Sequence, residues 1–182
     1  MEKKKKKRFA YLDDFETDDN GNYIYKGTVY GFDEASVTWG RACLYLWLFL
    51  GAAAVCQVAC GCIPAAGMFN TAYVIIPYAL ALLMIGLTAY RMVNLSFTGS
   101  RVREYVYAKT VEKFEAELYI AIIFMGLTAL GEVSHDAASG LNIWTLVFLT
   151  VQLLGVLACL GFIRYLNAQV WGIVQKKETD NG

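Results

Sequence analysis

Residues 39–62 read WGRACLYLWLFLGAAAVCQVACGC, and after Arg41 the next charged residue is Arg91. A helix needs about 20 mostly apolar residues to cross the hydrocarbon core of a bilayer. Strands of a soluble core are much shorter. The stretch therefore predicts a first transmembrane span over about 39–62. Residues 72–93, AYVIIPYALALLMIGLTAYRMV, predict a second. Pro77 falls in its first turns, where a missing amide hydrogen bond costs least. The linking residues 63–70, IPAAGMFN, are uncharged and few, so these two spans form an antiparallel hairpin.

Two further spans follow the same logic. Between Glu117 and Arg164 only Glu132 and Asp136 carry charge, with His135, the sole histidine, between them. Residues 118–137, LYIAIIFMGLTALGEVSHDA, predict the third span, and residues 141–163, LNIWTLVFLTVQLLGVLACLGFI, the fourth. The purely apolar part of the third ends at Leu130, so it reaches full length by including Glu132 or by thinning the bilayer. Upstream, Tyr107, Val111, Phe114 and Leu118 recur at helical spacing, and Lys113 and Glu117 form an i,i+4 pair. They predict a helical extension over about 102–117.

Composition agrees. The chain has 182 residues, 57% apolar and 18% charged, against roughly 45–50% and about 25% in an average soluble domain. The expected fold class is an all-α integral membrane protein: a four-helix transmembrane bundle of two antiparallel hairpins, with a small β-hairpin-like segment before it. The expected organisation is an N-terminal basic and aromatic segment (1–38), a transmembrane domain (39–175) and a tail (176–182).

The zero net charge hides an asymmetry, because all 16 basic residues lie in 3–41, 91–113 and 164–177. The loops at 63–71 and 138–140 have none. The positive-inside rule places both termini and the 94–117 loop in the cytoplasm, with the chain in the cell membrane. Nucleic-acid binding needs a basic face on a folded domain, whereas these cations flank apolar runs. No nucleic-acid partner is expected. Lys3, Lys4, Lys5, Lys6, Lys7 and Arg8 fix topology and attract anionic lipid, at ~1 kcal/mol per basic residue near the surface. The first apolar run starts near residue 39, far beyond a signal-peptide n-region, so no such peptide is expected.

The N-terminal segment carries seven aromatics, Phe9, Tyr11, Phe15, Tyr23, Tyr25, Tyr30 and Phe32, where disordered tails carry few. Asp18-Asp19-Asn20-Gly21 between aromatic-rich stretches is a hairpin signal. A hairpin alone is marginal in water, so this one is expected to dock on the helices, the membrane or a partner. A calcium loop starting at Asp18 would need glycine and glutamate at its sixth and twelfth positions, where Tyr23 and Val29 stand. At the other terminus, RYLNAQVWGIVQKK (164–177) is expected along the inner interface, which favours Trp and Tyr.

Glu132, His135 and Asp136 share one helix face near the outer end of the third span. Ionisable groups at membrane depth are costly and often functional, so they are candidates for an ion or proton relay. The plainer reading is a helix end with its polar groups in headgroups or water. A di-iron site needs two Glu-x-x-His helices, and only one histidine exists. Gln57 and Gln152 are candidates for tying helices together by hydrogen bonds. Gly51, Ala52, Cys56 and Cys60 belong to a run of small residues that predicts close packing within the bundle or towards another subunit. The five cysteines read as small buried apolar residues, with the redox state of Cys60 and Cys62 open. Residues 86–89 and 126–129 both read Gly-Leu-Thr-Ala, which is expected to be chance among apolar spans.

No G-x-S-x-G, HExxH or phosphate-loop motif occurs. No catalytic residue, cofactor or metal is expected. The leading expectation is a non-enzymatic interaction or accessory subunit of a membrane complex, with the lipid bilayer and a membrane protein or a second copy as partners. The alternative is a small oligomeric transporter or channel using Glu132 and His135 near its outer mouth. A membrane-embedded enzyme ranks third, because one histidine and two carboxylates are a thin catalytic set.

Overall fold

A computed structural model describes residues 15–17, 23–25, 27–33, 37–140, 142–169 and 171–175. Lys3–Arg8, residues 18–22 with the expected turn, and residues 176–182 lie outside the described residues. The helices are α1 (Trp39–Cys62), α2 (Ala66–Asn70), α3 (Ala72–Thr98), α4 (Glu104–Lys109), α5 (Val111–Ser139) and α6 (Ile143–Asn167). The strands are β1 (Phe15–Thr17), β2 (Tyr23–Tyr25), β3 (Val29–Phe32), β4 (Arg101–Arg103) and β5 (Trp171–Gln175).

Four helices, α1, α3, α5 with its lead-in α4, and α6, are long and apolar enough to cross a membrane. They are apolar on both sides. Leu46, Leu50, Ile85, Leu118 and Phe162 are buried, while Leu48, Leu83, Leu127 and Leu153 point outward and are exposed. A helix that is apolar all round does not suit an aqueous surface; it suits lipid.

Each helix runs antiparallel to its neighbours. Gln57 and Trp47 of α1 reach Tyr78 and Ser96 of α3. Val74 and Arg91 of α3 meet Gly131 and Glu117 of α5. Phe114 of α5 packs on Phe162 of α6, and Tyr45 of α1 on Tyr165 of α6. The expected hairpin pairs α1/α3 and α5/α6 are both present. The closest packing, however, is between α3 and α5 and between α1 and α6. Short connections fix which helices are adjacent, whereas close approach depends on the small side chains at each seam. On α1 the inward residues are Ala42, Leu46, Leu50, Ala53, Gln57 and Cys60, at spacings of three and four.

Three local expectations change. The 63–71 connection contains the short helix α2, which packs against α5. Residues 101–103 form strand β4, and the helical extension breaks at Thr110 (φ −115°, ψ −76°), where the hydroxyl donates to the Val106 carbonyl at 2.6 Å. A threonine bonding back to its own helix competes with the backbone ladder. At the C-terminus α6 runs on to Asn167, and 171–175 is a strand paired with β3. Its Trp, Ile and Val suit a pleated surface, and the ladder satisfies amides that an interfacial coil would leave to water.

The N-terminal hairpin reading matches β1 and β2, which pair antiparallel with Phe15 opposite Tyr25. Beside them is a second sheet, ordered β4-β3-β5, in which β3 is central and both pairings are antiparallel. It draws one strand from the N-terminal segment, one from the middle loop and one from the C-terminal tail.

Candidate functional site

The two ends of the bundle are built differently. At the end away from the lysines and arginines, Glu132 of α5 is fully buried. Its Oε1 accepts from the Gly67 amide at 3.0 Å. Gly67 lies in the first turn of α2, whose leading amides have no acceptor inside the helix. A carboxylate there satisfies one of them and opposes the positive end of the helix dipole. The approach needs glycine: a Cβ on Gly67 would lie 2.5 Å from Glu132 Oε2. That second oxygen has no hydrogen-bond partner among the described residues.

One helical turn further, Asp136 is 2% exposed and accepts from the Asn142 amide at 3.1 Å. It bridges the turn from α5 to α6, where Gly140 takes a positive φ of 101°. Thr145 stands beside this carboxylate, but its hydroxyl makes no well-formed hydrogen bond among the described residues. His135 is more exposed, and its Nδ1 lies 3.9 Å from Asp136 Oδ1, an ion pair only when the imidazole is protonated. The trio read from the sequence therefore divides: two carboxylates face inward, each holding a different connection, and the histidine lies at the rim. Among the described residues no three His, Cys, Asp or Glu side chains converge as a metal site requires.

Deeper in the bundle, Gln57 and Gln152 are both buried. Gln57 Nε2 donates to the Tyr78 carbonyl at 3.5 Å, and the Tyr78 hydroxyl donates back to the Gln57 carbonyl at 2.9 Å. Gln152 Nε2 donates to the Met125 carbonyl at 3.3 Å. The structure thus places these amides across α1/α3 and α5/α6. Each leaves its side-chain oxygen without a partner among the described residues.

Of the small residues, Cys60 is buried with Sγ 3.8 Å from the Phe148 carbonyl, and Cys56 faces Gly155, where an added Cβ would sit 3.3 Å from it. Ala52 is exposed and Gly51 borders open space, so neither packs against another helix of the bundle. All five cysteines are free thiols. The two Gly-Leu-Thr-Ala threonines, Thr88 and Thr128, are both buried and donate to their own helices, at Met84 and Phe124.

At the basic end, Arg91 Nε donates to Glu117 Oε1 at 2.6 Å. Arg91 also donates to the Lys109 carbonyl, and the Thr88 hydroxyl oxygen lies 3.4 Å from Glu117 Oε2. Spacing along one helix pairs Glu117 with Lys113; the structure turns it towards α3 instead. The signal was in the sequence: Arg91 ends one apolar run and Glu117 precedes the next, so they lie at equal depth on antiparallel neighbours.

The β4-β3-β5 sheet seats an aromatic cluster against the same end. Tyr30 stacks on Tyr107 at 4.3 Å, and Phe32, Trp39 and Trp171 meet edge-on at 5.3–5.7 Å. Ile173 and Val174 on edge strand β5 are exposed. Compared with family models, curated proteins and solved structures, the chain matches none of them.

Proposed function

We propose that this chain is a non-enzymatic interaction or accessory subunit of a membrane complex, lying in the cell membrane with both termini in the cytoplasm. One observation carries the reading. Three segments far apart in sequence contribute one strand each to a sheet at the basic end, and edge strand β5 presents Ile173 and Val174 outward. Sheet edges bind by main-chain hydrogen bonds and add specificity through alternate side chains. The test is a photoreactive residue at Ile173, introduced into the full-length protein in its native membrane, with Ile143 at the opposite end as control. The reading expects a discrete protein adduct from position 173 alone. The adduct's protein, once purified, should bind this one and lose binding with Ile173→Asp. Protein adducts absent from 173, or equal from both positions, would overturn the reading.

A second reading is favoured by interior oxygens of Glu132, Gln57 and Gln152 that have no partner among the described residues. In a small oligomeric transporter or channel these atoms would take protons or cations in transit. Against it, Glu132 and Asp136 are each engaged in holding a connection closed. Proton-driven flux into liposomes, wild type against Glu132→Gln, separates the readings. Flux that needs Glu132 supports transport; no flux in either supports the accessory subunit.

A further inference from the structure

Between α3 and α4, at the basic end of the bundle, lies a cavity of about 580 Å³. Sites that bind small molecules commonly enclose about 300–1,000 Å³. Its walls have two characters. Tyr90 and Phe97 of α3 are 68% and 88% exposed, on the outside of the bundle. Arg91 and Asn94 of α3 and Tyr105 and Lys109 of α4 supply the polar side. Arg91 ends the apolar run of α3, so in a bilayer the cavity lies at headgroup depth with Tyr90 towards the acyl chains.

The charge balance selects the ligand. Among the described residues no acidic side chain lines the cavity. The charge of Arg91 is matched by Glu117, yet only its Nε and one terminal nitrogen are engaged. Its Nη2 has no acceptor among the described residues. Lys109 meets no carboxylate among the described residues; its Nζ rests 4.4 Å from the centre of the Tyr105 ring. The ring positions the ammonium without neutralising it. The cavity therefore offers one uncompensated cation, a spare guanidinium nitrogen and the Asn94 amide, beside an aromatic wall facing lipid.

We propose that this cavity binds the phosphodiester headgroup of an anionic membrane phospholipid. The assignment rests on the four long apolar helices crossing a bilayer, and it is independent of which protein, if any, docks on β5. A phosphate accepts from Lys109, Arg91 Nη2 and Asn94 at once, and the chains leave along Tyr90. A choline headgroup would bring a second cation against Lys109 and is disfavoured.

The test uses the full-length protein in neutral detergent, titrated with short-chain phosphatidylglycerol, short-chain phosphatidylcholine and inorganic phosphate, with bound molecules counted by native mass spectrometry. Phosphatidylglycerol should bind saturably and more tightly than phosphatidylcholine. Lys109→Ala should weaken it about fivefold, the worth of one basic residue at a lipid surface. Lys113→Ala, an exposed cation outside the cavity, should leave it unchanged. Equal affinity for the two lipids, equal weakening by Lys113→Ala, or displacement by inorganic phosphate at equal concentration would each overturn the proposal, the last by making this a site for free anions. As a second readout, a photoactivatable phosphatidylglycerol should label 90–98 or 105–109 in the wild type; labelling confined to other segments would overturn it as well.

Discussion

The Gly67 amide donates to the Glu132 carboxylate at 3.0 Å, across 65 residues of sequence, and so pins the short helix α2 to the far end of α5. Glu132→Gln keeps an acceptor for that amide and removes a buried charge, so thermal stability in detergent should change by less than about 1 kcal/mol. Glu132→Ala leaves the amide unpaired and opens a cavity, and should cost roughly 2–4 kcal/mol. Gly67→Ala should cost about 1–3 kcal/mol by overpacking against Glu132 Oε2. Combined with Glu132→Ala, the Gly67→Ala penalty should largely vanish, because its collision partner has gone. Strict additivity of the two changes in thermal unfolding would contradict the contact.

Arg91 and Glu117 present the reverse case, a pair of opposite charges that meet directly. Breaking a fully buried pair by removing one partner costs about 3–5 kcal/mol. Here the side chains are 29% and 12% exposed, so Arg91→Met is expected to cost about 2 kcal/mol, water offsetting part of the loss. The double variant Arg91→Met with Glu117→Met should recover most of that stability. If the double variant is no more stable than Arg91→Met, the pair is not coupled as its geometry implies.

Trp171 packs on Phe32 within the composite sheet and holds that sheet to the helices through Trp39 and Tyr107. Trp171→Ala should destabilise by about 2 kcal/mol, below the roughly 3–5 kcal/mol of a fully buried large aromatic. It should also release β3, seen as faster proteolysis between 27 and 38 than in the wild type. Unchanged cleavage would mean that the N-terminal segment is anchored elsewhere. Rapid cleavage throughout 9–32 in the wild type would count against docking altogether.

Orientation has its own test. Reporter fusions at Gly67 and Ser139 are expected outside the cell, and fusions at Gly99 and Gly182 in the cytoplasm, from the distribution of lysine and arginine. An external signal at Gly99 would reverse the topology, and with it the leaflet assigned to the lipid cavity.

The amino-acid sequence alone determined the number of long helices and where three of them begin. Trp39–Cys62 coincides with its expected span, and the starts of α3 and α6 fall within two residues of theirs. That follows because apolar length is a local property, and a bilayer-long run admits few other structures. The strand pairing of 15–17 with 23–25 is local in the same way, joining segments only a few residues apart. Tertiary structure alone decided what depends on how elements meet. Glu132 was marked as a candidate, but its partner was a glycine amide in a connection with no chemical signature. Ala52 and Ala53 look equivalent along the chain, yet a 100° step per residue turns one out and the other in. The β4-β3-β5 sheet was hidden for the same reason: its strands are three to five residues long and are joined only by pairing across the whole chain. A strand that short has no stability of its own, so its existence is settled by its neighbours rather than by its sequence.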